Sequence, residues 1–307
     1  MKILLATEKP FAAPAANAIR EVIESAGMTM ASLEKYTHKT QLLDAVADAD
    51  ALIIRSDVID REVFDAARQL KIVVRAGAGY DNVDLVSATA HHVCVMNTPG
   101  QNANAVAELA LGLMVYGVRN FFNGTSGTEL KDKKLGIHAY GNVGRHVARI
   151  ARGFGMEVCA FDPFLSAETI EKDGIRAAAS VRELYETCPF VSLHIPATPE
   201  TKNAVGYDLL SAMPEGAMLV NTARREVVHE AGLLKVMEER PDFRYMTDIA
   251  PAIHAELTER FAARYFGTPK KTGAQTAEAN NNAGIAAATQ IVDFLLNGNE
   301  KFRINPS

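Results

Sequence analysis

From Lys134 to Phe164 the chain reads KLGIHAYGNVGRHVARIARGFGMEVCAFDPF. Leu135-Gly136-Ile137 is a short apolar run of the kind a buried strand leaves. Ala139-Tyr140-Gly141-Asn142-Val143-Gly144 then turns tightly into a helix, which carries Val147, Ile150, Ala151 and Phe154 on one face and stops at Gly155. Val158–Phe161 is a second strand, closing on Asp162. The stretch is one strand–helix–strand unit with a glycine-rich first turn and an acid after its second strand.

The physics of such a unit is dinucleotide binding. Gly141 lets the backbone approach a pyrophosphate, and Gly144 lets the helix lie close to the strand. The helix N-terminus, with Tyr140, Gly141, Asn142, Val143 and Gly144 around it, presents free N–H groups and partial positive charge to phosphates. Asp162 follows Gly144 at close to the spacing of about 20 residues expected for an acid that accepts from ribose hydroxyls. A carboxylate there repels a 2′-phosphate, so the expected cofactor is NAD rather than NADP. Ala139 stands where the first glycine of the fingerprint is expected, so its backbone must tolerate a Cβ. The competing reading is a turn that serves helix packing alone; the strand before, the helix after and the acid in place argue against it.

Working outward, 307 residues suggest two domains and a large core. Apolar content of 48% and charged content of 22% suit a water-soluble globular chain. A net charge of −5 gives no reason to expect nucleic acid, and any anionic substrate needs a locally basic site. Cys94, Cys159 and Cys188 sit in or beside apolar runs without metal-like spacing, and His91-His92 has no ligand-like partner, so no metal is expected and the thiols read as reduced core residues of a cytoplasmic protein. Met1–Ala6 is too short for a signal segment, and no membrane span is expected.

The first hundred residues alternate. Lys2–Ala6, Ala51–Ile54, Ile72–Val74 and Val93–Met96 are apolar, β-rich runs, with helical patterns at Pro14–Ala26, Gln41–Ala47 and Arg61–Ala67. Such alternation predicts a parallel sheet covered on both faces. A helix apolar nearly all round follows from Ala103 to about Arg119, so it is expected to be buried, and Phe122–Thr128 reads as a loop. Beyond Asp162, helices are expected at Val181–Thr187, Gly206–Met213 and Glu230–Glu239, and strands at Phe190–Ile195, Ala217–Val220 and Phe243–Thr247. These strands end on His194 and Pro196, on Asn221-Thr222-Ala223-Arg224, and on Asp248. Ligands of open α/β sheets sit outside the carboxyl ends of strands, so these are candidate site positions by placement. A last helix is expected from about Thr276 to Asn297. The predicted fold is α/β, with two doubly wound parallel-sheet domains.

With these segments in view, the chain resembles the NAD-dependent D-2-hydroxyacid dehydrogenases over nearly its whole length. The resemblance is carried by Arg75-Ala76-Gly77-Ala78-Gly79-Tyr80-Asp81-Asn82-Val83-Asp84, by Asn97-Thr98-Pro99 through Val106-Ala107-Glu108-Leu109, by the glycine fingerprint, by Asn221-Thr222-Ala223-Arg224, and by Thr268-Pro269 through Glu278-Ala279. It implies a discontinuous, flavodoxin-like substrate-binding domain (1–98 plus 282–307) and a Rossmann NAD-binding domain (99–281). It implies that amides around Ala76 and Gly77, together with Arg224, hold the substrate carboxylate; that Asp248 meets the nicotinamide end of NAD; that His194 and Pro196 flank the adenosine; and that Thr222 also lies on the cofactor. It implies a homodimer built largely through the cofactor domain and the helix after Asn102.

Two positions depart from the family. Its usual glutamate falls on Ile253, and its histidine after the Thr-Pro is replaced by Lys270-Lys271. Counting back from Glu278-Ala279 puts Lys271 in the histidine's place. This variant is similar to a short, lysine-type subgroup of the D-3-phosphoglycerate dehydrogenases. Ser307 falls soon after the family core, so the regulatory domains of longer forms are expected to be absent.

The chemistry asks for a base that takes the hydroxyl proton while hydride leaves C2. A lysine can do this if burial, Arg224 and Lys270 disfavour its charge. With no carboxylate at position 253, nothing there holds the proton on Lys271. The competing reading is a solvated pair of loop lysines. Arg224 is expected to grip the carboxylate bidentately and polarise the C2 oxygen. Candidates for the far end of the substrate are Arg55 and Ser56, with Asn102 and Arg75 as further candidates and Asp57 where a second basic residue is often seen; Lys270 is also expected to bind substrate. The resulting expectation is oxidation of 3-phospho-D-glycerate. The alternatives are a hydroxypyruvate or glyoxylate reductase, and a catalytically weak NAD-sensing interaction protein. The substrate is expected to be a small molecule in every enzymatic case.

Overall fold

Strand and helix alternate along the chain in this computed structural model, which describes residues 1–306. In order they are β1 (Lys2–Thr7), α1 (Ala13–Ser25), β2 (Thr29–Glu34), α2 (Lys39–Val46), β3 (Ala51–Ile54), α3 (Arg61–Ala66), β4 (Ile72–Arg75), α4 (Leu85–Ala90), β5 (Cys94–Asn97), α5 (Ala103–Val118), β6 (Lys134–His138), α6 (Asn142–Gly153), β7 (Glu157–Phe161), α7 (Ala167–Glu171), β8 (Arg176–Ala177), α8 (Val181–Thr187), β9 (Phe190–Leu193), α9 (Tyr207–Ser211), β10 (Met218–Asn221), α10 (Glu230–Glu239), β11 (Arg244–Thr247), α11 (His254–Phe261), β12 (Tyr265–Gly267) and α12 (Ala277–Asn297). The chain divides into two compact units, 1–102 with 276–307, and 103–275. Among the described residues no helix is long and apolar enough to cross a membrane.

The first unit is a five-stranded parallel sheet in the order β2-β1-β3-β4-β5. The central strand β3 and the edge strand β5 are buried at every position, Ala51–Ile54 and Cys94–Asn97, because helices cover both faces. Ile3, Leu5, Ile53, Ile72 and Val74 point to one side, where Ile19 and Ile23 of α1 meet Ala283, Ala287 and Ile291 of α12. Gly284 permits this approach: a Cβ there would fall 2.6 Å from Ile19 Cδ1. The C-terminal helix is therefore part of the first unit's core. The opposite side is filled by Leu4, Leu52 and Val73 with Leu42, Val63 and Phe64.

The second unit is a seven-stranded parallel sheet, β12-β11-β10-β9-β6-β7-β8. Strand order reverses between β6 and β9, the switch point at which doubly wound sheets bind ligands. Helix α5 packs on α6 and buries Val106, Ala110, Leu113 and Met114. It is not buried all round: Asn104, Glu108 and Gly112 form an exposed stripe, and Leu109 is half-buried. Two details of the fingerprint helix differ from expectation. Phe154 is its C-cap and 44% exposed, while Ala148 takes a core place. The reason is the helix end: the chain leaves through Gly155 at φ +74°, and Met156 rather than Phe154 turns inward.

Candidate active site

In the second unit the candidate residues leave one edge of one sheet. Asn221, Leu193 and Thr247 are in register across β10, β9 and β11, as are Thr247 and Gly267, and His138 with Leu193 and Phe161. The carboxyl ends of β12, β11, β10, β9, β6 and β7 therefore present, in sequence, Thr268 and the lysines, Asp248, Thr222 with Arg224, His194 with Pro196, the glycine turn, and Asp162. Parallel pairing puts these residues, far apart in the chain, on a single line.

At the glycine turn each position has its own physical reason. Gly141 caps α6, and a Cβ built on it meets nothing within 4 Å, so its face is open to an incoming group. At Gly144 a Cβ would lie 2.5 Å from Ala139 O and 3.1 Å from Ile137 Cγ2, which only a glycine avoids. Ala139 holds φ at +77°, the left-handed conformation a glycine adopts without cost. Asp162 is held at both oxygens: Tyr140 N–H donates to Oδ2 at 2.9 Å and Phe164 N–H to Oδ1 at 2.9 Å. Its carboxylate is thereby fixed at the turn with acceptor capacity left for hydroxyls.

Polar atoms without partners continue along the same edge. Among the described residues, His194 Nε2, Ser192 Oγ and Thr222 Oγ1 are buried without a hydrogen-bond partner. Buried groups left unpaired are costly, so orphaned atoms beside an open glycine turn suit a polar ligand. His138 is buried, its Nδ1 3.1 Å from the Tyr185 hydroxyl. Burial pushes its pKa down to about 4, against a weaker upward pull from Asp162. Burial, with His138 adding to it, pushes His194 down to about 3. Both rings are neutral at pH 7. The open Gly141 face, the fixed Asp162 and the orphaned donors and acceptors fit a dinucleotide without a 2′-phosphate.

At the other end of the edge, Asn221 folds the turn that presents Arg224. Its Oδ1 accepts from Ala223 N–H at 3.0 Å and its Nδ2 donates to Arg224 O at 3.0 Å. Arg224 is half-buried and donates through Nη1 to Ala223 O at 3.0 Å. Arg225 is exposed and pairs with Glu226 at 3.2 Å. Lys270 and Lys271 are both exposed, so burial does not here provide the desolvation expected for Lys271. Ile253 caps α11.

Asp248 is fully buried. Its Oδ1 accepts from Thr272 N–H at 2.8 Å, from Thr272 Oγ1 at 2.7 Å and from Thr268 Oγ1 at 3.0 Å; its Oδ2 accepts from Gly273 N–H at 2.7 Å. Sequence reading had no place for Thr268, Thr272 and Gly273 as partners of Asp248. The available signal was a threonine on each side of Pro269-Lys270-Lys271.

The remaining candidates lie in the first unit. Arg55 and Ser56 follow β3, Ala76 and Gly77 follow β4, and Asn102 ends the unit's first segment. The Ala76 N–H donates to Ile54 O at 2.8 Å, extending the sheet rather than facing a ligand. Gly77 has φ +146°, and the Arg75 guanidinium occupies the place of its missing Cβ. Arg55 Nη1 donates to Lys9 O and Pro10 O at 3.0 and 3.2 Å, and Nη2 to Asn280 Oδ1 at 2.6 Å. Asp57 is buried and accepts from Glu8 N–H, the Tyr36 hydroxyl and Arg55 N–H. It is a structural acid of the β1–β3 edge. Among the described residues, no three His, Cys, Asp or Glu side chains gather in a metal-holding group.

Comparison with known proteins places this arrangement. Residues 116–262 match the family model described as D-isomer specific 2-hydroxyacid dehydrogenase, NAD binding domain. A crystal structure of cofactor (NAD+) bound 3-phosphoglycerate dehydrogenase from Entamoeba histolytica is similar with 47% identity and a TM-score of 0.87, covering 100% of this chain and 99% of that one. The D-3-phosphoglycerate dehydrogenase of Methanocaldococcus jannaschii is 33% identical over 275 residues, 84% of this chain and 52% of that protein. The chain thus spans about half the length of the curated relatives it matches. A solved D-2-hydroxyisocaproate dehydrogenase, 18% identical with a TM-score of 0.83 over 100% of both chains, shares the fold.

Proposed function

We propose that this chain, which belongs to the D-isomer specific 2-hydroxyacid dehydrogenase family, oxidises 3-phospho-D-glycerate to 3-phosphohydroxypyruvate with NAD, a step toward serine. The observation that supports this reading most is the 47% identity, over the full chain, to a protein titled a 3-phosphoglycerate dehydrogenase. NAD, when bound, supplies the hydride acceptor. Gly141, Asn142 and Val143 bind its pyrophosphate at the α6 N-terminus, Asp162 accepts from its ribose hydroxyls, and Thr222, His194 and Pro196 line its path. Arg224 fixes the substrate carboxylate and draws charge from the C2 oxygen. Lys271, as the amine, takes the C2 hydroxyl proton; as the ammonium it returns that proton to the carbonyl in the reverse direction.

The test is NADH oxidation with 3-phosphohydroxypyruvate, hydroxypyruvate and glyoxylate in parallel. The reading expects the phosphorylated keto acid to give the highest kcat/KM. Preference for hydroxypyruvate or glyoxylate makes it a reductase of unphosphorylated acids, a reading favoured by the prior engagement of Arg55 with Lys9, Pro10 and Asn280. No turnover with any of the three makes it an NAD-binding interaction protein. Lys271→Ala is expected to abolish turnover with the NADH dissociation constant unchanged; near-normal turnover rejects Lys271 and turns attention to Lys270. We further propose a cytoplasmic homodimer, checked by cell fractionation and by sedimentation.

A further inference from the structure

We propose that Asp248 is a positioning residue, the clamp that fixes the lysine loop, and that its task is to hold Lys271 in place. The inference rests on Lys271 as the acid/base of the proposed reaction. Both ends of the six-residue segment Thr268–Gly273 converge on this one carboxylate. Thr268 Oγ1 lies 2.8 Å from Asp248 O and 3.0 Å from Oδ1, so its hydroxyl proton is shared between them. Thr272 gives its N–H and its hydroxyl to Oδ1, and Gly273 gives its N–H to Oδ2. Pro269, Lys270 and Lys271 form the exposed tip between these anchors.

The anchor is itself rigid. Asp248 N–H donates to Asn221 O at 3.0 Å, which ties it to the strand that presents Arg224. Thr268 N–H donates to Thr247 O at 3.0 Å, continuing the β11–β12 ladder. Gly273 is required by contact, since a Cβ there would come within 2.9 Å of Asp248 Oδ2. A buried polar group left unpaired is costly, and the donors to the Asp248 side chain named here all come from the loop. The arrangement gives a reason for a buried acid at the end of β11 in a chain with no glutamate at position 253. It turns the carboxylate toward the loop backbone, where the family resemblance had placed it on the nicotinamide.

Full-length Asp248→Asn, Thr272→Val and Thr272→Ser test this. Asparagine keeps the oxygen facing Thr272 but sets an amide NH2 against the Gly273 N–H. Valine keeps the shape of Thr272 and removes one donor, and serine restores it. Two readouts are combined: the rate of trypsin cleavage after Lys270 and Lys271, and kcat with the NADH dissociation constant. We expect cleavage to rise and kcat to fall by about tenfold or more in Asp248→Asn, less in Thr272→Val, with Thr272→Ser near the parent and NADH affinity unchanged throughout. Unchanged cleavage in both Asp248→Asn and Thr272→Val overturns the clamp. Faster cleavage with unaltered kcat overturns its catalytic purpose. Weakened NADH binding with a protected loop assigns Asp248 to the cofactor instead. If Lys271→Ala keeps its turnover while the loop of Asp248→Asn loosens, the Lys271 assignment has failed and the clamp stands as a loop anchor.

Discussion

Single residues carry strain and charge that can be read out directly. Ala139 pays for its left-handed φ of +77° at the first turn of the nucleotide loop. Ala139→Gly removes that strain, partly offset by the greater freedom of glycine in the unfolded chain, so stability should rise by a few tenths to about 1 kcal/mol. A higher urea midpoint at unchanged m-value is the expected result, and a lower midpoint refutes it. His138 makes the opposite kind of statement. Its folded pKa of about 4 lies below the ordinary value near 6.5, so the unfolded chain binds the extra proton first. Stability is complete above pH 6.5, falls as pH drops through the window between the two values, and has lost this contribution below about 4. His138→Gln, which can still meet the Tyr185 hydroxyl, should flatten the fall in melting temperature between those limits. His138 ends β6 and is buried there, in keeping with a place in the sheet packing. What could not be read was Asp57: a carboxylate beside Arg55 suggests a charge facing the substrate, yet its partners Glu8 and Tyr36 come from other parts of the sheet.

Elements were readable in proportion to their burial. Strands β3, β4, β5, β6, β9 and β10 are covered on both faces, so they leave apolar runs that stand out in the sequence. The strands that escaped, β2, β8 and β12, are all edge strands. β2 alternates between exposed and buried positions, and β8 and β12 have two and three residues. A half-exposed or very short edge strand takes its register from its neighbour, so little of it is written in its own residues, whereas the edge strand β5, buried at all four positions, is legible. The short helices α4, α7 and α11 were missed for a related reason, since one or two turns give no periodicity to detect. The Asp248 clamp depended on β12 lying next to β11, which explains why its partners were invisible until the edge was in place. The β6–α6–β7 unit was readable because its packing demands a particular residue. Gly144→Ala should push α6 off β6, costing about 1–3 kcal/mol, and should weaken NADH binding more than it lowers kcat. Unchanged melting and affinity would mean that the Ala139 carbonyl can move aside.

The two units differ in how the chain builds them. The second, 103–275, is one continuous stretch with its own seven-stranded sheet and two packed faces. The first needs both ends of the chain, because Ala283, Ala287 and Ile291 of α12 close the core over Ile19 and Ile23. All the candidate cofactor residues, from Tyr140 to Asp248, fall inside the continuous unit, while Arg55, Ser56, Ala76, Gly77 and Asn102 fall in the discontinuous one. A fragment of residues 103–275 should therefore fold alone and bind NADH, gaining about 2.7 kcal/mol of stability at a ligand concentration one hundred times its dissociation constant. It should show no turnover with any keto acid. A fragment of residues 1–102 should remain unfolded until a peptide spanning 276–307 is added, since Ala283, Ala287 and Ile291 of α12 complete the core that Ile19 and Ile23 form with the sheet. Circular dichroism melts of the two fragments, with and without NADH and the peptide, decide the matter. A second unit that melts without cooperativity, or one that folds but shows no shift with NADH, would mean that cofactor binding is a property of the assembled chain and not of the sheet that carries the glycine turn.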